Sequence, residues 1–368
     1  MTTVVVVGHD AAPSNCFGRL ARVLEERGFK VVSFLGHGKP RTNTNEEVVG
    51  AVTGANVVLL GFSSTAELSE SAIVAGQAAQ AGGIPFGFYG DIPLCWTLGR
   101  EGKWFNALAR HASFYCGVAP SDPAEAQKIF PKARFVDTGN PLRDEEMAFP
   151  KFTRGEVRAK LGLAPEEKAI LLTTLKSPGC NLAMLGILIE ALAGMKNPNL
   201  RLLVSPHPGD RTPFAVDPEP KENPKPLGLY EELLSYSPVP GRLIDRTLLT
   251  GSELVPGMDL IVEFGSSLGL EAGFHEIPVL TFAPEVVLRR FEKATGTRVT
   301  ESVTQGLSVP VDRGDPTALA KTIALLLDPK SWEALTLRGH QRELCVKPAE
   351  RGAALRKIAD LVASQIQP

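Results

Sequence analysis

Several classes of protein are excluded by what this sequence lacks. No apolar run approaches the roughly 18 residues that a membrane-spanning helix needs. The first residues, MTTVVVVGHD, carry no basic segment and only a short valine run before Gly8, which reads as a first strand and not as a signal peptide. There are five cysteines, Cys16, Cys95, Cys116, Cys180 and Cys345, an odd number without CxxC spacing, so a disulfide scaffold is not expected and a reduced, cytoplasmic setting fits best. His9, His37, His111, His207, His275 and His340 are scattered, and none pairs with another ligand at a zinc spacing. A net charge of −2 gives no general attraction for nucleic acid. Phosphate motifs fail as well: GHDAAPSN (Gly8 to Asn15) is not GxGxxG, and in GHGKP (Gly36 to Pro40) Pro40 stands where a P-loop needs serine or threonine.

The composition is that of a globular protein, 43% hydrophobic and 22% charged. Its 368 residues exceed one ordinary core and suit two domains, which would face each other across a cleft. Short β-branched runs alternate with amphipathic stretches: TVVVVG, NCFGRLARVLEERG, KVVSFLG, NEEVVGAVTG, NVVLLGF, AELSESAIVAGQAAQAG, IPFGFYG. Apolar runs separated by helices predict βα units around a parallel sheet buried on both faces. SFYCGV and ARFVDT extend the pattern, GNPLRDEEMAFPKFTRG interrupts it, and KAILLTTL, LRLLVSP, DLIVEF and IPVLTF start it again. The expected fold class is therefore α/β, with two Rossmann-like doubly wound domains. The expected division is 1–145, 146–345, and a C-terminal helix in 346–368 that packs back toward the first domain. The segment from Asp210 to Pro240 is rich in proline and charge, and loops of that length are usually functional or disordered.

In open α/β sheets ligands bind beyond the carboxyl ends of the strands, so residues just after each strand are the site candidates. After the first strand stand His9 and Asp10, with Ser14 and Asn15; a polar loop in which Ser14 caps the next helix is the plainer alternative. Asp91, after IPFGFYG, could serve as a general base or simply bond its own turn. Lys176 in TTLKSPGCN could face a phosphate or remain a surface lysine. His207 in LLVSPHPGD is held by two prolines, which suits a hydrogen bond to a phosphate oxygen. In DLIVEFGSSLGLEAGFHEIPVL, Gly265 allows close backbone approach, while Ser266 and Ser267 open a helix whose amides and dipole suit a phosphate. Glu271, one turn on, could accept from ribose hydroxyls. Arg246, after GRLID, is a candidate near the base.

The double Rossmann layout, TGNPLRD, SPHPGD and DLIVEFGSSLGLEAGFHEIPVL together resemble the GT-B glycosyltransferases, especially the branch that shares its fold with the non-hydrolysing sugar-nucleotide 2-epimerases and lipid A disaccharide synthase. The resemblance implies a nucleotide-sugar donor in the second lobe, an acceptor in the first, and no metal or further cofactor. Gly265, Ser266 and Ser267 would hold the donor phosphates, Glu271 the ribose, and His207 the phosphate or sugar. The histidine-proline pair with paired serines also resembles bacterial sialyltransferases and CDP-glycerol polymerases, which hints at a cytidine donor. Two departures matter. Glu263 and Glu271 resemble the glutamate pair of retaining enzymes, but the Phe-Gly lies one position early; and the arginine-bearing loop expected of an epimerase after strand one is replaced by HDAAPSN.

The expected activity is glycosyl transfer from a nucleotide sugar to an acceptor, with Asp91 or Asp10 taking the acceptor's proton and His207 stabilising the leaving group. Epimerisation or hydrolysis of a sugar nucleotide at the same site is the alternative within the fold. A non-catalytic scaffold subunit or a sugar-binding protein is the alternative outside it. The stretch from Cys95 to Ala112, with Trp96, Trp104, Phe105, Arg100, Lys103 and Arg110, reads either as core aromatics with solvated cations or as a peripheral membrane contact.

Overall fold

A computed structural model describes the whole chain except residues 40, 64, 92–94, 96–103, 119–125, 143–148, 176, 208–226, 296, 312–313, 349 and 367–368. Much of the aromatic, basic stretch after Cys95, much of the interruption after Leu142 and most of the proline-rich segment lie outside the described residues. The chain divides into two compact units, Met1–Glu145 with Pro348–Pro368, and Glu146–Lys347.

The first unit is built on β1 (Thr3–Gly8), β2 (Lys30–Leu35), β3 (Val57–Gly61), β4 (Phe86–Tyr89), β5 (Phe114–Gly117) and β6 (Arg134–Asp137), in the order β2-β1-β3-β4-β5-β6. Every pairing is parallel. Val4 to Val7 are all fully buried, as a strand covered on both faces requires. Val5, Val7, Val58, Leu60 and Phe88 face one core; Val4, Val6, Val57, Leu59 and Tyr89 face the other. That second core also takes Phe17 and Leu20 of helix Ala11–Glu26 together with Leu355, Ile358 and Val362 of helix Ala353–Ala363.

The second unit repeats the plan with β7 (Lys168–Thr173), β8 (Leu200–Ser205), β9 (Gly241–Leu243), β10 (Leu260–Glu263), β11 (Val279–Phe282) and β12 (Val309–Val311), again all parallel, in the order β12-β11-β10-β7-β8-β9. Helices Pro178–Met195 and Pro316–Leu327 cover the face of Ile170, Leu172, Leu202 and Val262. Helix Arg154–Lys160 lies on the opposite face with Ala169, Leu171, Ile261 and Val279.

In both sheets the chain winds outward from a central strand in one direction and then resumes on the other side of it. The reversal falls between β1 and β3 in the first unit and between β7 and β10 in the second. Connections leave opposite faces there, which opens a crevice beyond the strand ends and marks the expected ligand position in each sheet. In the first unit the glycines that end the two strands keep that end tight: side chains at Gly8 and Gly61 would both run into Pro13 and Phe17 of the following helix.

Candidate functional site in the second unit

Four polar side chains line up across the carboxyl end of the second sheet. Thr173 pairs in register with Ser205 and Glu263 with Thr281, while the pairing of Leu172 with Val262 puts Thr173 and Glu263 in the same row. Register neighbours on parallel strands share a face. The row continues the apolar face of Leu171, Leu203, Ile261 and Val279, and all four of its members are buried. Just beyond it, Thr174 Oγ1 accepts a 2.7 Å hydrogen bond from the His207 amide, which ties the end of β7 to the turn after β8. The His207 side chain is half-buried.

The Gly-Ser-Ser turn follows β10 directly. Gly265 has φ +70°, a left-handed conformation suited to glycine, and is exposed, as is Ser267. Ser266 is the N-cap of helix Ser267–Gly273, its hydroxyl accepting from Leu268 N at 3.3 Å. The expectation that all the turn's amides face a ligand is corrected here. Ser266 N donates to Glu263 Oε2 at 2.7 Å, and the Gly265 amide also bonds to that carboxyl group. Two of the turn's amides are therefore taken by Glu263, and Ser267 opens the helix at an exposed position.

Glu263 is fully buried and accepts further bonds from Thr281 Oγ1 at 2.5 Å and Ser302 Oγ at 2.7 Å. Burial pushes its pKa above the ordinary 4.5, and the hydroxyl and amide donors pull against that rise. Its oxygens are thus held behind the turn, so the spacing of Glu263 and Glu271 does not make them a pair facing one ligand. Glu271 lies in the helix after the turn and is 6% exposed.

Arg290 escaped the sequence reading. It lies on helix Glu285–Thr295, which follows β11, and its Nη1 reaches Ser177 Oγ at 3.0 Å and Cys180 Sγ at 3.6 Å, placing a guanidinium beside the end of β7. Val287, Leu288 and Phe291 after Pro284 are the amphipathic signal that would have revealed this helix. Lys176 lies outside the described residues. Arg246 stands in the turn after the edge strand β9, two strands from β7 and so roughly 10 Å from the reversal point. His207 thus follows β8 and the Gly-Ser-Ser turn follows β10, the two strands on either side of β7, whereas Arg246 follows the edge strand β9.

In the first unit, Asp10 is the N-cap of helix Ala11–Glu26 and accepts from Ala11 N at 2.7 Å. That corrects the expectation for Ser14, which lies inside the helix; its hydroxyl donates to Gly8 O at 2.5 Å and accepts from His37 N at 3.0 Å, stitching the ends of β1 and β2. His9 is buried beside Gly36, where a side chain would come within 2.6 Å of its Cδ2. Burial holds its pKa below 6.5; a hydrogen bond with Asn43 opposes this and the Arg41 charge adds to it. Asp91 follows β4. Its Oδ1 accepts from the Cys95 thiol at 3.0 Å, and its carbonyl accepts from Asn140 Nδ2 at 2.6 Å.

Among the described residues no group of three histidine, cysteine or carboxylate side chains could hold a metal ion, and no helix is long and apolar enough to cross a membrane.

No protein-family model and no curated protein sequence matches the chain. Solved structures do, over its full length. A glycosyltransferase from Rickettsia africae has 13% identity and a TM-score of 0.61, with 100% of this chain and 99% of that one aligned. The chain has the GT-B fold. Two further GT-B neighbours carry nucleotide ligands. Anabaena HepE in complex with UDP has 13% identity, TM-score 0.60 and coverage of 99% and 100%. The UDP-GlcNAc 2-epimerase of Neisseria meningitidis bound to UDP-GlcNAc matches with the same identity, score and coverage.

Proposed function

We propose that this protein is a glycosyltransferase that uses a nucleotide sugar, with UDP as its nucleotide, and transfers the sugar to an acceptor hydroxyl without a metal ion. The observation that supports the reading is that His207, the Ser266–Ser267 helix start and, through its bond to Ser177, Arg290 follow or flank the carboxyl ends of β8, β10 and β7, the strands around the reversal point of the second sheet. Donors and a cation gathered there suit a diphosphate. UDP is favoured because neighbours that align over the whole chain were determined with UDP or a UDP-sugar.

In this reading the bond between the anomeric carbon and the diphosphate oxygen breaks as the acceptor oxygen bonds to that carbon. Arg290, His207 and the serine hydroxyls stabilise the charge gathering on the departing UDP. On the acceptor side we assign Asp91 or Asp10 to take the proton. Glu271 is assigned to the ribose, Lys176 to the phosphates and Arg246 to the base, each by its place in the sequence.

Epimerisation of a UDP-sugar is the second reading, favoured by the neighbours named as epimerases. Thermal stability against UDP, CDP, CMP, GDP, dTDP and NAD tests the binding step: a nucleotide at about a hundred times its Kd stabilises by roughly 2.7 kcal/mol. Incubation with UDP-sugars then separates the reactions. A changed sugar without acceptor supports epimerisation, and UDP release that depends on acceptor supports transfer. If no nucleotide raises the melting temperature, the donor-site reading fails.

A further inference from the structure

We infer that Glu263 is a positioning residue that sets the geometry of the nucleotide-binding turn from behind, an inference that rests on the reading of that turn as the UDP site. The carboxyl group receives four hydrogen bonds from two separate parts of the unit. Two come from the turn itself, the amides of Gly265 and Ser266. Two come from the scaffold: Thr281 Oγ1 on β11 and Ser302 Oγ on helix Glu301–Thr304. A second tier holds the scaffold hydroxyls in place, with Ser308 Oγ 2.8 Å from Thr281 Oγ1 and Thr300 Oγ1 3.0 Å from Ser302 Oγ. Glycine at 269 makes room for this arrangement, since a side chain there would meet Glu263 Cγ at 3.1 Å.

The chemistry explains why a carboxylate occupies a fully buried site that an apolar residue would fill at lower desolvation cost. Four donors converge, and a carboxylate accepts from all of them, amides on one side and hydroxyls on the other. By drawing two amides inward, Glu263 fixes the conformation of a turn whose Ser266 caps helix Ser267–Gly273 and whose Ser267 is exposed at the start of that helix. It also fastens a left-handed glycine turn to β11 and to the segment before β12. A turn held this firmly presents its donors without reorganisation when the diphosphate arrives.

The test measures UDP affinity by calorimetry on variants shown to be folded by circular dichroism and gel filtration. Glu263→Ala frees the turn and is expected to raise the UDP Kd by at least about tenfold, appearing in turnover as a raised KM with a smaller change in kcat. Glu263→Gln is expected to stay within about threefold, because the amide oxygen can face the two backbone amides while the scaffold hydroxyls rotate to accept from its NH2 group. If Glu263→Ala does not fold, the paired substitution Thr281→Val with Ser302→Ala decides. It keeps the carboxylate, removes its anchors, and is expected to weaken UDP by about threefold to tenfold. A purely structural role would lower Tm and leave the Kd of folded protein unchanged. Wild-type affinity in folded Glu263→Ala, or in the folded pair, overturns the inference. Failure of the unsubstituted protein to bind UDP overturns the underlying reading instead, and is seen before any variant is made.

Discussion

Removing the Asp259 carboxylate should destabilise the second unit by an amount that its surroundings allow to be worked out. Asp259 precedes β10, and its side chain is only 12% exposed. One oxygen accepts from Ala169 N at 2.9 Å and pairs with Arg158 at 3.1 Å; the other pairs with Arg154 at 2.9 Å and Lys168 at 3.6 Å. Arg154 and Lys168 are exposed enough that their pairs contribute little, about 0–1 kcal/mol together. The Arg158 side chain is 9% exposed, and breaking a buried pair costs about 3–5 kcal/mol. Arg158 keeps the carbonyls of Gly257, Ala164 and Glu167 as acceptors, which lowers that loss to about 2–3 kcal/mol. The orphaned Ala169 amide adds about 1 kcal/mol. Asp259→Ala should therefore cost about 3–5 kcal/mol, or roughly 6–20 °C in Tm for a unit of this size. Urea denaturation followed by far-UV circular dichroism measures it, and Asp259→Asn, which keeps an acceptor for Ala169, should lose less. A loss below about 1 kcal/mol for Asp259→Ala would show that the Arg158 pair is not the buried fastening inferred from its geometry.

Burial, helped by the Lys347 charge, lowers the His275 pKa from 6.5 to about 4. The unfolded chain therefore binds this proton first: stability is complete above about pH 6.5 and falls as the pH drops toward 4. His275→Gln should flatten that slope in denaturant melts made across this range. Gly61→Ala drives a methyl group into Pro13 Cβ, with Pro13 Cγ 3.0 Å and Phe17 Cε2 3.3 Å away, and should destabilise the first unit by about 1–3 kcal/mol or more in the same assay. Arg290→Ala should weaken UDP about tenfold in calorimetry with little change in Tm, because the side chain is exposed and its partners are Ser177 and Cys180. Unchanged UDP affinity in that variant would remove Arg290 from the site.

The winding of both sheets was legible because parallel strands covered on both faces must be apolar throughout. TVVVVG, KAILLTTL and DLIVEF carry that signature, and each became a strand. The reversal points could not be read, since strand order depends on pairings that no local pattern encodes. The Gly-Ser-Ser turn stood out because glycine and serine after a strand are local signals. Its inward attachment did not, because the partners Thr281 and Ser302 lie 18 and 39 residues from Glu263, and a threonine within a strand looks like any β-branched residue. The start of the first helix misled for a related reason. Asp10 and Ser14 are both good caps, and only the backbone conformation at Asp10 shows which one opens the helix.

The helix Ala353–Ala363 belongs to the core made by β1 and helix Ala11–Glu26, with Arg27 paired to Asp360 at 2.7 Å. On the ribosome this reverses the usual order of assembly. The second unit, Glu146–Lys347, is continuous in the chain and can close as soon as its last strand and covering helices emerge. The first unit waits through all of that synthesis, roughly 10–40 s at about 5–20 residues per second, with the surface later taken by Leu355, Ile358 and Val362 still uncovered. The domain made first is thus the one finished last, and chain loss from the far end would damage the fold at its beginning.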